Sequence, residues 1–117
     1  MRTIMLTFWP KTEPSTLEIS VVDATDFFEL RITAGVFISR MCAHNLVKVR
    51  ESNYAFIDDD ATYCTVDNQA ILIREYVKRA PETMTRFLIS WINENTRNSS
   101  PYYTNTINHD LKFLLIE

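Results

Sequence analysis

Residues 81–95, PETMTRFLISWINEN, carry the clearest structural signal in the chain. Apolar side chains recur there at the i, i+3, i+4, i+7 and i+8 spacing that forms one stripe on an α-helix. These side chains are Met84, Phe87, Leu88, Trp91 and Ile92. Pro81 suits the first helical position, where its missing N–H costs nothing, and Asn95 suits the left-handed conformation that ends a helix. The stretch therefore predicts an amphipathic helix that contributes two large aromatic rings to a hydrophobic core.

A second helical pattern, NQAILIREYVKR at residues 68–79, directly precedes this helix. Asp67 is suited to cap its first turn. Ala80-Pro81 separates the two patterns, because a proline inside a helix removes a hydrogen bond and clashes with the preceding turn. The two patterns together predict a helical hairpin.

The N-terminal part of the chain predicts a β-hairpin. Residues 3–9 (TIMLTFW) are rich in β-forming side chains, and residues 16–22 (TLEISVV) alternate between apolar and polar. The link between them contains Pro10 and Pro14 and is typical of a turn.

A meander of three short strands is predicted further along the chain. Runs with period two, LVKVR, NYAFI and TYCTV, occupy residues 46–50, 53–57 and 62–66. Their links, Glu51-Ser52 and Asp58-Asp59-Asp60, are short and polar, which favours antiparallel pairing of consecutive strands.

Between the hairpin and the meander, the pattern favours one long helix over residues 24–44. Asp23 or Thr25 can serve as its N-cap, and Asn45 can end it. Its helically spaced apolar residues are Phe27, Leu30, Ala34, Phe37, Ile38 and Met41. The β-branched residues nearby favour a strand over part of residues 28–38 as the alternative.

These elements predict a single α+β domain over residues 1–117, in which an antiparallel β-hairpin and a three-stranded meander pack against two or three helices. The expected order is β-β-α-β-β-β-α-α. The tail is expected to add an edge strand or a short helix, because Leu111, Phe113 and Leu115 alternate with Lys112.

The residue usage excludes several classes of site. Gly35 is the single glycine, so no P-loop, dinucleotide fingerprint or nucleophile elbow is present, and Gly35 is expected to permit a close helix contact instead. The soft metal ligands are Cys42, His44, Cys64 and His109, and their spacing matches no zinc motif. No catalytic residue, cofactor or metal is expected. His44 is expected to lie against a helix C-terminus.

The composition also predicts the compartment and the class of partner. The net charge of -3 disfavours general binding to nucleic acid or membrane surfaces. The sequence lacks an apolar run approaching the ~20 residues that span a bilayer, and it shows no export signal. We therefore expect an intracellular protein, without a membrane segment, whose two cysteines are reduced.

Acidic residues are concentrated in residues 51–67, which contain no Lys or Arg. They are Glu51, Asp58, Asp59, Asp60 and Asp67. The run Asp58-Asp59-Asp60 in the predicted turn is a candidate to bind a basic partner surface; the alternative is a solvated hairpin turn. A calcium loop does not fit, because Tyr63 stands where such a loop requires glycine.

A basic counterpart lies on the predicted helical hairpin. It comprises Arg74, Lys78, Arg79 and Arg86. Such a face can contact phosphates, but Glu75 and Glu82 interrupt it, and no motif for reading base edges accompanies it. The set supports a nucleic-acid-binding module as the alternative function, and an ordinary solvated helix face is the competing interpretation.

Tyr102 and Tyr103 follow Pro101 within the polar residues 96–108, which are predicted to form a loop. Adjacent loop aromatics can anchor an interface, because they supply a large contact area at little entropic cost. The alternative is that these rings fold back over Trp91 and complete the core.

The leading hypothesis is a small non-enzymatic interaction protein, such as a viral or phage-type modulator or inhibitor. It would bind a larger protein partner through acidic and aromatic loop surfaces. These are formed by Asp58, Asp59, Asp60, Tyr102 and Tyr103. The suggested source rests on residue usage, with 13 Thr, 11 Ile, 8 Asn and one Gly. A nucleic-acid-binding module is second and a small enzyme third, and a homodimer is one alternative for the oligomeric state.

Overall fold

The computed structural model describes residues 3–9, 16–22, 27–65, 69–99 and 112–116. In chain order the elements are β1 (Thr3–Trp9), β2 (Thr16–Val22), β3 (Phe27–Thr33), α1 (Ala34–Ala43), β4 (Val47–Arg50), β5 (Asn53–Phe56), β6 (Asp59–Thr65), α2 (Gln69–Arg79), α3 (Pro81–Ser99) and β7 (Lys112–Ile116). Within this part of the chain, one sheet has the order β3-β2-β1-β7 and the other β4-β5-β6. The predicted α+β class is confirmed.

The predicted β-hairpin is present as β1 and β2. The two strands pair antiparallel from Thr3 opposite Val22 to Trp9 opposite Thr16. Side chains of one face are buried: Ile4, Leu6, Phe8, Leu17 and Ile19. The alternation that predicted the strands therefore follows the burial of one face of the sheet.

The prediction of one long helix over residues 24–44 is wrong. Residues Phe27–Thr33 form β3, which pairs antiparallel with β2, and the helix is limited to Ala34–Ala43. The strand alternative prevails because Leu30 and Ile32 face the core whereas Glu29 and Arg31 are exposed, which is a period of two. The predicted caps Asp23 and Thr25 lie outside the described residues.

The helix α1 has well-defined ends. The Thr33 hydroxyl accepts a hydrogen bond of 3.2 Å from the Val36 N–H, which caps the first turn. His44 is the C-cap, as expected from its place in the sequence, and Asn45 follows in the left-handed conformation with φ 59°. The helix therefore ends at the position predicted from Asn45 in the sequence.

The predicted meander is confirmed in strand number and direction, but one link is shorter than predicted. β4 and β5 join at Glu51-Ser52 as predicted. The next turn is Ile57-Asp58, and Asp59 and Asp60 already belong to β6. The register is irregular between Ala55 and Phe56. β6 lies at the edge of the described three-stranded sheet.

The helical hairpin is confirmed, and α3 is longer than predicted. It begins at Pro81 as expected but continues past Asn95 to Ser99. Asn95 permits a helix to end but does not require it, and the next helix-breaking residue in the sequence is Pro101. Part of the predicted loop is therefore helical, and its remainder and the proposed cap Asp67 lie outside the described residues.

The tail forms a strand. β7 pairs in parallel with β1 and extends the first sheet, with Phe113 opposite Ile4. Of the two alternatives for the tail, the edge strand is therefore correct.

The core joins both sheets to the three helices of the described chain. The stripe of α3 is buried as predicted: Met84, Phe87, Leu88, Trp91 and Ile92. Phe37 of α1 contacts two of its rings, with centroids 5.6 Å from Phe87 and 5.4 Å from Trp91. A Cβ added at Gly35 would lie 3.4 Å from Gln69 Oε1, an ordinary van der Waals distance to the end of a flexible side chain, so the packing of α1 against the start of α2 does not require glycine at this position.

Candidate functional site

The acidic turn of the meander meets the end of α2. Arg79 Nη2 donates a hydrogen bond of 2.8 Å to Asp58 Oδ1. The same guanidinium lies over the Phe56 ring, 4.7 Å from its centroid, in cation–π geometry. Two candidate surfaces that are separate in the sequence are thus in contact.

Tyr76 lies directly behind this pair. Its ring packs against Phe56 at a centroid distance of 5.5 Å, and its side chain is buried. Burial raises the pKa of the Tyr76 hydroxyl and the Asp58 charge raises it further, whereas Arg79 and Arg86 lower it. Charges from the turn, α2 and α3 therefore act together on the Tyr76 hydroxyl.

A shallow groove of about 200 Å³ separates α3 from the connection between α1 and β4. It is lined by His44, Leu46, Thr83, Arg86, Phe87 and Ser90. The His44 ring packs edge-on against Phe87, with centroids 5.1 Å apart. The groove thus has an apolar floor, formed by Phe87 and Leu46, and polar groups around it.

The groove adjoins the acidic turn through the backbone. The Ile57 N–H donates a hydrogen bond of 3.2 Å to the Leu46 carbonyl. Ile57 is 48% exposed and therefore adds apolar area at the surface beside the turn. We call the groove together with Ile57, Asp58 and Arg79 the turn–groove surface.

The predicted basic face is divided among several contacts. Arg79 binds the acidic turn, whereas the Arg74 guanidinium lies over the Phe8 ring of β1, 4.3 Å from its centroid. Lys78 pairs with Glu75 at 3.5 Å on the exposed side of α2. Arg86 lies at the groove and donates a hydrogen bond of 3.3 Å to Thr83 Oγ1.

The remaining predicted site residues are elsewhere or outside the described part. Asp59 and Asp60 lie in β6, so Asp58 is the member of the acidic run that lies in the turn. Tyr102 and Tyr103 fall outside the described residues, and their two alternatives stay predictions.

Metal-binding groups and membrane-spanning helices can be assessed for residues 3–9, 16–22, 27–65, 69–99 and 112–116. Among them, no group of three or more His, Cys, Asp or Glu could hold a metal ion. None of the helices in that same part is both long and apolar enough to cross a bilayer. Cys42 is a free, half-buried thiol, and burial raises its pKa, which lowers its nucleophilicity at neutral pH.

The groove and the exposed Ile57 were not anticipated from the sequence. His44 was interpreted only as a residue at a helix end, and Ile57 as the end of a strand. One signal was available: Ala55, Phe56 and Ile57 are consecutive apolar residues in a strand of period two, so both of its faces are apolar there.

In comparisons with protein-family models, with curated proteins and with solved structures, no match to this chain was found.

Proposed function

We propose that this chain is a small non-enzymatic interaction protein that binds a larger protein through the turn–groove surface. The observation that carries the proposal is the contact between Asp58 and Arg79 beside the groove and the exposed Ile57. It places apolar area, aromatic rings and charges of both signs in one region. A modulator or inhibitor of a larger protein is the role we favour.

The composition of this surface suits a protein partner. Interfaces combine an apolar centre with a polar rim, and arginine and aromatic residues are enriched in them. Here Ile57 and Leu46 supply apolar area above the buried Phe87 ring, and Arg79, Arg86 and Asp58 supply the charges. Arg79 is already oriented by Phe56 and Asp58, so less side-chain entropy is lost when a partner binds it.

Site-specific photo-cross-linking in the native host tests the proposal. A photoreactive amino acid at position 57 is compared with the same amino acid at position 71, because Ile71 on α2 is 50% exposed and Ile57 is 48% exposed. Position 57 is expected to yield one cross-linked protein that position 71 does not. Equal products at both positions, or none at position 57, would contradict the proposal.

Substitutions then measure the contribution of each part of the surface. Ile57→Asp is expected to weaken binding of the cross-linked partner at least about tenfold, as for an interface anchor, and Ile71→Asp to leave it unchanged. Circular dichroism and thermal unfolding of both variants control for folding.

The surfaces proposed from the sequence are tested in the same binding assay. Replacing Asp58, Asp59 and Asp60 with Asn is expected to weaken binding, since Asp58 adjoins Ile57. Replacing Tyr102 and Tyr103 with Ala tests the aromatic segment separately. If affinity survives both sets of changes, neither surface contributes to the interface.

A further inference from the structure

We infer that the groove between α3 and the α1–β4 connection receives a carboxylate side chain of the partner, flanked in the partner by an apolar residue. This inference rests on the proposed function and assigns a chemistry to the segment that the partner inserts.

Arg86 supplies the charge that recognises the carboxylate. Arg40, Lys78 and Arg79 each pair with a carboxylate in the described part of the chain, of Glu94, Glu75 and Asp58 respectively. Arg86 pairs with none there, and its contact is the hydrogen bond to Thr83 Oγ1. A guanidinium has five N–H donors, so donors remain for the two oxygens of a carboxylate.

The other polar groups that line the groove are compatible with an anion. Thr83 Oγ1 accepts from Arg86, which leaves its own O–H free to donate, and Ser90 presents a second hydroxyl. Among the described residues that line it there is no Asp or Glu. The nearby Asp58 does not strongly oppose an anion, because its charge is paired with Arg79.

The volume of the groove and its apolar floor indicate that it receives a single side chain of the partner. Its volume of about 200 Å³ is below the ~300–1,000 Å³ of pockets that enclose drug-sized ligands. Phe87 and Leu46 form the apolar floor, and the backbone N–H of the exposed Ile57 donates a hydrogen bond to the Leu46 carbonyl. A carboxylate at Arg86 therefore places a neighbouring apolar residue of the partner against this floor.

Titrations followed by amide NMR test the inference on the full chain. The probes are the capped peptide Leu-Glu-Leu, its isostere Leu-Gln-Leu and inorganic phosphate. The Glu peptide is expected to shift the amides of Thr83, Arg86, Phe87 and Ser90 and to bind at least about tenfold more tightly than the Gln peptide, as charged hydrogen bonds imply.

Matched charge variants identify the residue responsible. Arg86→Gln is expected to abolish the preference for Glu, and Lys78→Gln, which removes the same charge from an exposed side chain on α2, to retain it. Equal binding of the two peptides, or no shift up to the solubility limit, would overturn the inference. Phosphate producing the same shifts with higher affinity would also overturn it, because the groove would then be a general anion site.

The two proposals fail in distinguishable ways. If position 57 cross-links a partner whose affinity is unchanged by Arg86→Gln, the carboxylate assignment is wrong and the proposed function stands. If no partner cross-links at position 57, the proposed function fails even where the Glu peptide binds, and the assignment of the groove to a partner fails with it.

Discussion

Arg79 donates a hydrogen bond of 2.8 Å to Asp58, although 21 positions separate the two residues in the chain. The contact fastens the turn between β5 and β6 to the last turn of α2. It also determines which surface the acidic turn presents, since the carboxylate that projects from the turn is already paired. A partner that binds at the proposed site would therefore meet a neutralised pair beside apolar area.

A double-mutant cycle with Asp58→Asn and Arg79→Gln measures this pair. We expect a coupling of about 0.2–1 kcal/mol in the free energy of unfolding, because the Asp58 side chain is 69% exposed and solvent screens the interaction. Added salt should reduce the coupling. Urea denaturation provides the measurement, and a coupling of zero at low salt would contradict this prediction.

The first turn of α1 depends on the Thr33 hydroxyl. Thr33→Ala is expected to lower the free energy of unfolding by about 1 kcal/mol, the usual contribution of an N-cap, because the Val36 N–H loses its acceptor. Thr33→Ser keeps the hydroxyl and serves as the control. Equal losses in the two variants would assign the effect to the strand β3 instead of the cap.

Two isoleucines on α2 allow the effect of burial on stability to be measured separately from the effect of helix propensity. Ile73 is fully buried and Ile71 is 50% exposed, while replacement by Ala changes the intrinsic helix propensity equally at both. Ile73→Ala is expected to cost about 2–5 kcal/mol of stability, through lost burial and the cavity that remains. Ile71→Ala should stay within about 0.5 kcal/mol. Similar losses at both positions would contradict the packing of α2.

Tyr76 makes stability depend on pH in the alkaline range. Its folded-state pKa is raised by burial and by Asp58, so the folded protein holds the proton more tightly than the unfolded chain, whose tyrosine titrates at about 10. This contribution is fully present below that pH and is lost as the pH rises through the folded-state pKa.

Tyr76→Phe tests this pH dependence. The wild type is expected to lose more unfolding free energy than Tyr76→Phe between pH ~9 and ~11, because the variant has no hydroxyl to ionise. Urea denaturation across this range provides the measurement, and parallel pH profiles for the two proteins would contradict the prediction.

The salt dependence of oligonucleotide binding tests the alternative that this chain is a nucleic-acid-binding module. Since Lys78 and Arg79 are paired with carboxylates, we expect weak oligonucleotide binding with a shallow salt dependence. Binding that falls steeply with salt, with a slope of about −0.9 for each phosphate neutralised on duplex DNA, would favour the alternative. Arg74→Gln and Arg86→Gln would then have to reduce that slope.

Local patterns predicted the elements that are defined by their own residues. The α3 stripe, its start at Pro81 and the pairing of β1 with β2 could be predicted, because side-chain period and turn chemistry depend only on neighbours in the chain. β3 was missed because Phe27, Leu30, Ala34, Phe37, Ile38 and Met41 also fit a helical spacing. Pairing with the edge of β2 decides between the two conformations, and that pairing is non-local.

For the candidate site, too, some features could be predicted from the sequence and others required the tertiary structure. The sequence by itself determined that Asp58 lies in a turn, that Arg79 and Arg86 lie on helices, and that no glycine-rich phosphate loop is present. Only the tertiary structure decided that Asp58 meets Arg79, that Arg86 is left without a carboxylate in the described chain, and that Leu46 and Phe87 line one groove. The physical reason is that charge pairing and burial depend on distances in space, which chain folding sets between segments that are far apart in sequence.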